Sequence, residues 1–564
     1  MASISNEEIE NILQNLVDDD FHGESCSEDG EISEVGDNLS IHSEEEDEIG
    51  ADDISDDDND PVNPTKALLK GKNGHIWSTV ARTSSKTPRR NKICVSIQRL
   101  ARGAAQNIVT EKDAFTTLLN EEIIDLIVLY TNQEIDRRAP KYENQRHVHK
   151  TDSTEFKALT GLLLFSAINK DNRKSANDMW SPFSAAVYKS IMSANRFQFL
   201  LNCVRFDDKT QRGGEDPFAA FRQIWELFIA NCRNSYHPRF YLTIDEQLLS
   251  FRGKCPFRVY IASKPDKYGL KIVTICDAKT YYMFDAIPYI GKRTEQKTAA
   301  DYVKKLVQSI KGSGRNVTYD NWFASIPLAD ELLKDYNLTT IGTLRKNKPE
   351  IPPCFLAHKR KQPLTSQFAF DQEKTLVSFT PKKNKAVILL STMHYKAETN
   401  PETSKPEIIH DYNATKGGVD TFDKLMHSYT SARRTRRWPL RYFYAMIDQA
   451  GINSMVLYFD TNHPNISAAK MRSEYLKKVA LQLARPHMER RLQTILPREL
   501  ASSIRDILGI TKEVSADEPP QKSQKQARCA LCPRNRDKKV KAVCEKCHLP
   551  TCPEHRKNLC LTCI

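Results

Sequence analysis

The chain reads as a multidomain α/β protein, and three observations carry that reading. Between 240 and 344 the apolar pattern runs three strands, helix, strand, helix, strand, which is an α/β order. On both sides of that block apolar residues recur at helical spacing. Seven of the 14 cysteines fall between Cys529 and Cys563, a stretch too short to build much of a core. A length of 564 residues fits roughly three or four units.

Residues 1–65 are Asp, Glu and Ser with few aromatics, and cannot bury enough surface to offset ordering entropy, so a disordered acidic tail is expected. Ser43 and Ser55 precede acidic runs there and suit an acid-directed kinase. The tail has no hydrophobic leader, which argues against secretion and for a soluble intracellular protein. Residues 66–110 reverse the sign with KGKNGHIW and KTPRRNK and predict a flexible basic arm. Over 111–239 the stretches FTTLLNEEIIDLIVLY, FKALTGLLLFSAI and VYKSIMSANRFQFLLNCV each predict a helix. DPFAAFRQIWELFIANC predicts another, with Asp216 at the cap and Pro217 in the first turn. The longest apolar run, ALTGLLLFSAI, falls short of the ~20 residues of a membrane helix.

In 240–344, RFYLTIDEQLLSF, KIVTICDAK and YYMFDAIPYIG predict strands. A helix over AADYVKKLVQSIKGSG, the strand RNVTYDNW, the helix IPLADELLKDY and the strand LTTIGTLRKN follow. Residues 345–410 are basic, carry prolines and short strands such as KTLVSFTPKKNKAVILLS, and read as a β-rich insertion. The α/β block resumes over 411–430, helices return over 431–510, and 511–528 is a linker to the module at 529–564.

Charge is unevenly spread. The first 60 residues hold 23 Asp or Glu and no Lys or Arg, so the remaining 49 acidic residues face 83 basic ones, an excess of 34. An acidic tail before a strongly basic body is the profile of a nucleic-acid-binding protein.

Four aspartates stand out. Asp245 lies inside the strand LTIDEQL among apolar neighbours, where an unpaired charge is costly. Asp320 sits where the chain leaves the strand NVTY, and strand ends of an open α/β sheet are where ligands gather. Asp420 and Asp423 in KGGVDTFDKLM share one helical face about 5–6 Å apart, so a positive group should compensate them. A pairing of Asp423 with Arg433 or Arg434 would serve, and so would a metal ion. Carboxylates converging from three elements can hold two Mg²⁺ ions (Mn²⁺ would also suit), one activating water and one stabilising the leaving oxygen in phosphodiester chemistry.

The stretches LTIDEQLLSFRGKCPFRVYIASKPDKYGLK, YDNWFASIPLADELL and DYNATKGGVDTFDKLM, followed by RRTRRWPLRYF, resemble the piggyBac family of DNA transposases. The likeness extends to GKNGHIWST and to the terminal cysteines. It implies an RNase H-like catalytic core with an aspartate triad at Asp245, Asp320 and Asp420, with Asp423 as a further ligand or close support. It also implies a nuclear homodimer that frees transposon ends through hairpin intermediates and joins them at TTAA sites in double-stranded DNA. The alternative is a domesticated, non-catalytic DNA- or chromatin-binding descendant.

For DNA contact, SARRTRRWPLRYF gathers Arg433, Arg434, Arg436, Arg437 and Arg441 around Trp438, cations for phosphates and an indole for an unpaired base. Lys264, Lys267 and Lys271 in KPDKYGLK lie near the first catalytic strand and add expected phosphate contacts. The terminal pairs Cys529/Cys532, Cys544/Cys547, Cys552/His555 and Cys560/Cys563 suit two tetrahedral zinc ions. Interleaving is expected, with Cys529, Cys532, Cys552 and His555 on one zinc and Cys544, Cys547, Cys560 and Cys563 on the other. His548 competes with His555 but has the poorer pair spacing. The histidine in sixth place disfavours a RING ligase or PHD reader. By resemblance the module recognises transposon end repeats, and the flanks KSQKQAR and RNRDKKVK double as a nuclear-import signal.

Overall fold

A computed structural model describes residues 68–81, 93, 99–510 and 527–560, apart from 144, 213, 263, 265, 292–297, 358, 360, 463–470, 537, 545–546 and 558. The acidic tail with Ser43 and Ser55 lies outside the described residues, as do most of the linker, Cys563 and the side chain of Cys560. The chain divides into two compact units, 1–501 and 502–564.

The larger unit is built on one 11-stranded sheet. Its centre follows the predicted order. β3 (Tyr241–Ser250), β5 (Tyr268–Asp277) and β6 (Met283–Pro288) pair antiparallel, and a short β4 (Val259–Tyr260) that carries no sequence signal adds to β5. Helix Ala299–Val307 leads to β7 (Asn316–Tyr319), which lies parallel to β3, and helix Ile326–Lys334 leads to β8 (Thr339–Thr343), parallel to β7. The central order is therefore β6-β5-β3-β7-β8. The strands of 345–410 continue this sheet. β11 (Val387–Ser391) pairs with β8, β10 (Thr375–Thr380) with β11, and β9 (Thr365–Phe370) with β10.

The basic arm is ordered in its first part. β1 (Leu68–Lys70) and β2 (Ile76–Ser78) form a hairpin that joins the sheet where Ser78 pairs with Phe370. Trp77 is wholly buried and donates its indole N–H to the Glu350 carbonyl at 2.9 Å. Burying an indole with its donor satisfied outweighs the local charge that suggested flexibility.

Two predicted helices are each split. The run 115–130 breaks into Glu111–Leu118 and Glu121–Arg138, because Asn120 accepts from the Ile123 amide and starts a new helix. The run 187–204 breaks into Ala186–Ile191 and Ala194–Cys203 at Ser193, which caps the Arg196 amide. The helix predicted to start at Asp216 starts at Ala219; Asp216 instead accepts from the Phe218 amide and ion-pairs with Arg222. Helix Trp438–Asn462 docks on β6, where Asn453 exchanges two hydrogen bonds with the Met283 backbone at 2.9 and 2.8 Å. Trp225 of helix Ala219–Ser235 donates to the Ala286 carbonyl on the same strand. Among the described residues no helix is long and apolar enough to cross a membrane.

Candidate active site and metal centre

The strand register puts the first two aspartates side by side. Ile244 on β3 pairs with Tyr319 on parallel β7, and the next residues along the two strands are Asp245 and Asp320. Asp320 turns the chain by accepting from the Trp322 amide at 2.9 Å.

The third aspartate arrives on helix Gly418–Ser428, which follows helix Glu407–Lys416 directly. Thr415, at the end of the first of these, is fixed to the sheet: its carbonyl accepts from Thr243 on β3 and its hydroxyl meets Thr318 on β7 at 2.7 Å. Three residues on, Gly418 lies against β3 so closely that a Cβ there would sit 2.5 Å from Thr243 Oγ1 and 2.9 Å from its Cβ. Only hydrogen fits between helix and strand, and this approach brings Asp420, in the first helical turn, beside Asp245.

Charge follows from this neighbourhood. The Asp245 carboxyl is held well above the usual carboxylate range by burial first, then by the charges of Asp320, Glu246 and Asp420. The Glu246 amide, donating at 2.7 Å, opposes this. No cationic side chain figures among the groups that act most strongly on Asp245.

Asp423 differs. Burial pushes its carboxyl up, but His427 one turn on (3.6 Å) and the Gln247 amide (2.8 Å) outweigh that and bring it below its ordinary range. Gln247 is itself oriented by Gln449 of the long helix at 3.1 Å. The partners of Asp423 are therefore a histidine and a glutamine, neither of which the sequence pattern singled out. Arg433 points elsewhere, to the Lys174 and Asp171 carbonyls at 2.6 and 3.5 Å.

The arginines of 431–443 separate into two sets. Besides Arg433, Arg437 donates to the carbonyls of Leu201, Asn202 and Val204 at the end of helix Ala194–Cys203, and Arg441 donates to Ser250 at the end of β3. These guanidinium groups satisfy carbonyls that helix and strand ends leave open. Arg434 and Arg436 are exposed. Trp438 is half-buried in an aromatic cluster, stacked on Phe218 at 5.5 Å and edge-on to Phe257 at 5.0 Å. Of the three lysines, Lys271 is taken up by Glu246 at 3.7 Å and by the Trp322 ring at 3.8 Å. Lys264 is half-buried near Asp423 and Lys267 is exposed.

In the smaller unit, ligand atoms of Cys529, Cys532, Cys552 and His555 all lie within 4.8 Å of one another. The sulfurs of Cys532 and Cys552 are 3.8 Å apart, and His555 Nδ1 is 3.2–3.7 Å from the three sulfurs. A tetrahedron of Zn–S bonds of about 2.3 Å has S···S edges of about 3.8 Å, so this donor set fits a tetrahedral metal. The first pair meets the third, the half of the expected pairing whose side chains are all described. His548 is not part of the group.

A large mixed sheet that carries acidic side chains on adjacent parallel strands, together with a separate unit whose cysteines and histidine could hold a metal ion, marks an α/β protein with a candidate metal-dependent site. A profile described as Transposase IS4 matches residues 110–455, more than half of the sequence. The chain is 24% identical over 368 residues to human PiggyBac transposable element-derived protein 3, covering 60% of each. It is equally identical over the same length to the human Chimeric ERCC6-PGBD3 protein, covering 34% of it. The chain thus spans 60% and 34% of the length of these curated relatives. It superposes with a TM-score of 0.72 and 39% identity on a piggyBac transposase solved by cryo-EM as a synaptic complex with hairpin DNA, covering 83% of this chain and all of that one. The chain belongs to the Transposase IS4 family and is of the piggyBac type.

Substituting Gly418→Ala is expected to push the Asp420 helix off β3 and to lower stability by about 1–3 kcal/mol, an overpacking cost. A thermal melt followed by circular dichroism reads this out; an unchanged midpoint would mean that the contact is soft.

Proposed function

We propose that the chain is a metal-dependent, cut-and-paste DNA transposase with an RNase H-like core, excising a DNA element and inserting it at TTAA sites. The observation that carries this reading is the gathering of buried Asp245, half-buried Asp320 and exposed Asp420 from two adjacent parallel strands and one helix, with Asp245 raised by burial and by its acidic neighbours. The sheet order β6-β5-β3-β7-β8, antiparallel then parallel, supports the RNase H-like assignment. The structural neighbour that holds hairpin DNA supports DNA as partner, and the proposed active form is a homodimer of this chain.

An all-oxygen, mutually repelling carboxylate set suits hard divalent cations such as Mg²⁺. When bound, two such ions would supply charge for the in-line displacement of a phosphodiester. Asp245, Asp320 and Asp420 would hold them, Asp245 from within the sheet and Asp420 from the exposed side of its helix. Asp423, committed to Gln247 and His427, acts as a support that fixes the Asp420 helix. Arg434, Arg436, Lys264 and Lys267 neutralise phosphates of the substrate, while Arg433, Arg437 and Arg441 keep the segment in place. The terminal module takes two zinc ions, one on Cys529, Cys532, Cys552 and His555. It reads the element's ends, with Cys544, Cys547, Cys560 and Cys563 on the second ion. The protein acts in the nucleus, and Ser43 and Ser55 are kinase sites on its acidic tail.

Excision from a donor plasmid carrying the genomic flanks of the gene as ends tests the reading. Wild type is expected to excise and restore TTAA, while Asp245→Ala and Asp320→Ala lose at least about 10³-fold in rate. Specific binding of those ends by a wild type that does not excise would favour a domesticated DNA-binding descendant. Removing two phosphate contacts with Arg434→Ala and Arg436→Ala together should lower the slope of log affinity against log salt by about 2 on duplex DNA. An unaltered slope would remove these arginines from the interface. Cys552→Ser should cost the purified protein one zinc per chain, as read by metal analysis; full retention would refute the interleaved site.

A further inference from the structure

Each of the two strand aspartates is held by a backbone amide close beside it. The Asp245 carboxylate accepts from the Glu246 amide at 2.7 Å, and the Asp320 carboxylate accepts from the Trp322 amide at 2.9 Å. The Asp320 carbonyl also accepts from the Ala324 amide at 3.1 Å, which closes the turn in which Trp322 stands. Bonds of this kind fix the aim of a metal-binding carboxylate only as well as the donating residue is itself fixed.

One side chain reaches the side chains of both donors. Lys271 lies on β5, and its Nζ is 3.7 Å from a Glu246 carboxylate oxygen and 3.8 Å from the centre of the Trp322 ring. Register accounts for the first contact. Glu246 pairs with Val273 and Leu248 with Lys271, so Glu246 and Lys271 are diagonal neighbours on one face of the ladder, within reach of long side chains. The second contact sets a cation over an indole, the aromatic ring that attracts an ammonium most strongly. Buried Phe323 braces that indole edge-on at 4.6 Å.

The sequence groups Lys271 with Lys264 and Lys267 as phosphate contacts, and the structure separates it from them. Lys267 is exposed, whereas the Lys271 and Glu246 side chains are only 12% and 18% exposed, so solvent and salt screen this pair little. Side chains alternate along a strand, which turns Glu246 to the face opposite Asp245. Lys271 therefore works from behind the carboxylates. We propose that Lys271 is a positioning residue: by holding Glu246 and Trp322 together it sets the separation and aim of the Asp245 and Asp320 carboxylates, and with them the affinity for a divalent cation. This rests on the metal-dependent transposase reading and gives the lysine a role in metal binding instead of DNA contact.

The test uses the full chain with Lys271→Met, which keeps much of the bulk and loses the cation, and Lys271→Arg, which keeps the cation. Mn²⁺ binding is read by electron paramagnetic resonance without DNA, with Asp245→Ala marking the signal that belongs to the aspartates. Duplex affinity is measured separately across a salt series without divalent metal. Lys271→Met should weaken Mn²⁺ binding at least about tenfold, the usual effect of losing a group that orients a ligand. Its salt slope should match wild type, and Lys271→Arg should recover most of the Mn²⁺ affinity. Trp322→Leu, which removes the ring but keeps the amide that Asp320 uses, should weaken Mn²⁺ binding in the same sense, and it carries the test where Lys271→Met does not fold. Mn²⁺ binding unchanged in these variants overturns the proposal, even if their melting temperatures fall, because the clamp is then merely structural. A salt slope lowered by about 1 in Lys271→Met also overturns it and returns the lysine to the phosphates. Wild type that binds Mn²⁺ no better than Asp245→Ala overturns the metal-dependent reading itself, an outcome distinct from the others.

Discussion

Everything at the aspartate site depends on how closely a helix can approach a strand. Gly418 and Thr243 leave no space for a methyl group, and the carbonyl and hydroxyl of Thr415 are tied to Thr243 and Thr318. A larger residue at Gly418 would carry Asp420 away from Asp245, and a purely apolar contact would let the helix slide. Threonine hydroxyls supply direction as well as contact, since a buried hydrogen bond has both length and angle to satisfy. The result is a rigid seat for three carboxylates whose mutual repulsion would otherwise drive them apart.

That repulsion is left standing in one place and removed in another. Asp423 lies one helical turn from Asp420 and is compensated by His427 and Gln247. Asp245 is surrounded by burial and further negative charge, and its carboxyl rises accordingly. A buried charge without compensation is among the costlier features a fold can carry, and a structure that neutralises one member of an acidic cluster had the means to neutralise the others. The contrast separates Asp245 from Asp423 more clearly than spacing in the sequence does.

Much of this was legible in the sequence because the relevant signals are local. The three strands and the strand–helix alternation between 240 and 344 appear in the period of the apolar residues, and Asp245 and Asp320 sit at definite points of those strands. Pair spacing in the terminal module anticipates the meeting of Cys529 and Cys532 with Cys552 and His555. Other features depend on contacts between distant segments. The helix break at Asn120 is hidden because apolar spacing continues through Leu118 and Leu119, and only the cap shows it. The burial of Trp77 depends on Glu350, and the extension of the sheet through β9–β11 depends on the pairing of β11 with β8.

The arginine segment illustrates the same limit with a functional consequence. Five arginines around one tryptophan look alike in sequence, and each could face a phosphate. Three of them reach carbonyls more than 190 residues away in the chain: those of Lys174 for Arg433, Leu201 for Arg437 and Ser250 for Arg441. A guanidinium that caps a helix or strand end gives up part of its hydrogen-bonding fork, so its charge serves mainly to fix the segment. This division makes the segment stiff, and stiffness gives the two free arginines their value. An exposed cation on a fixed backbone loses less entropy when it meets a phosphate than one on a mobile loop does. The arginines that reach carbonyls thus fix the segment from which Arg434 and Arg436 project.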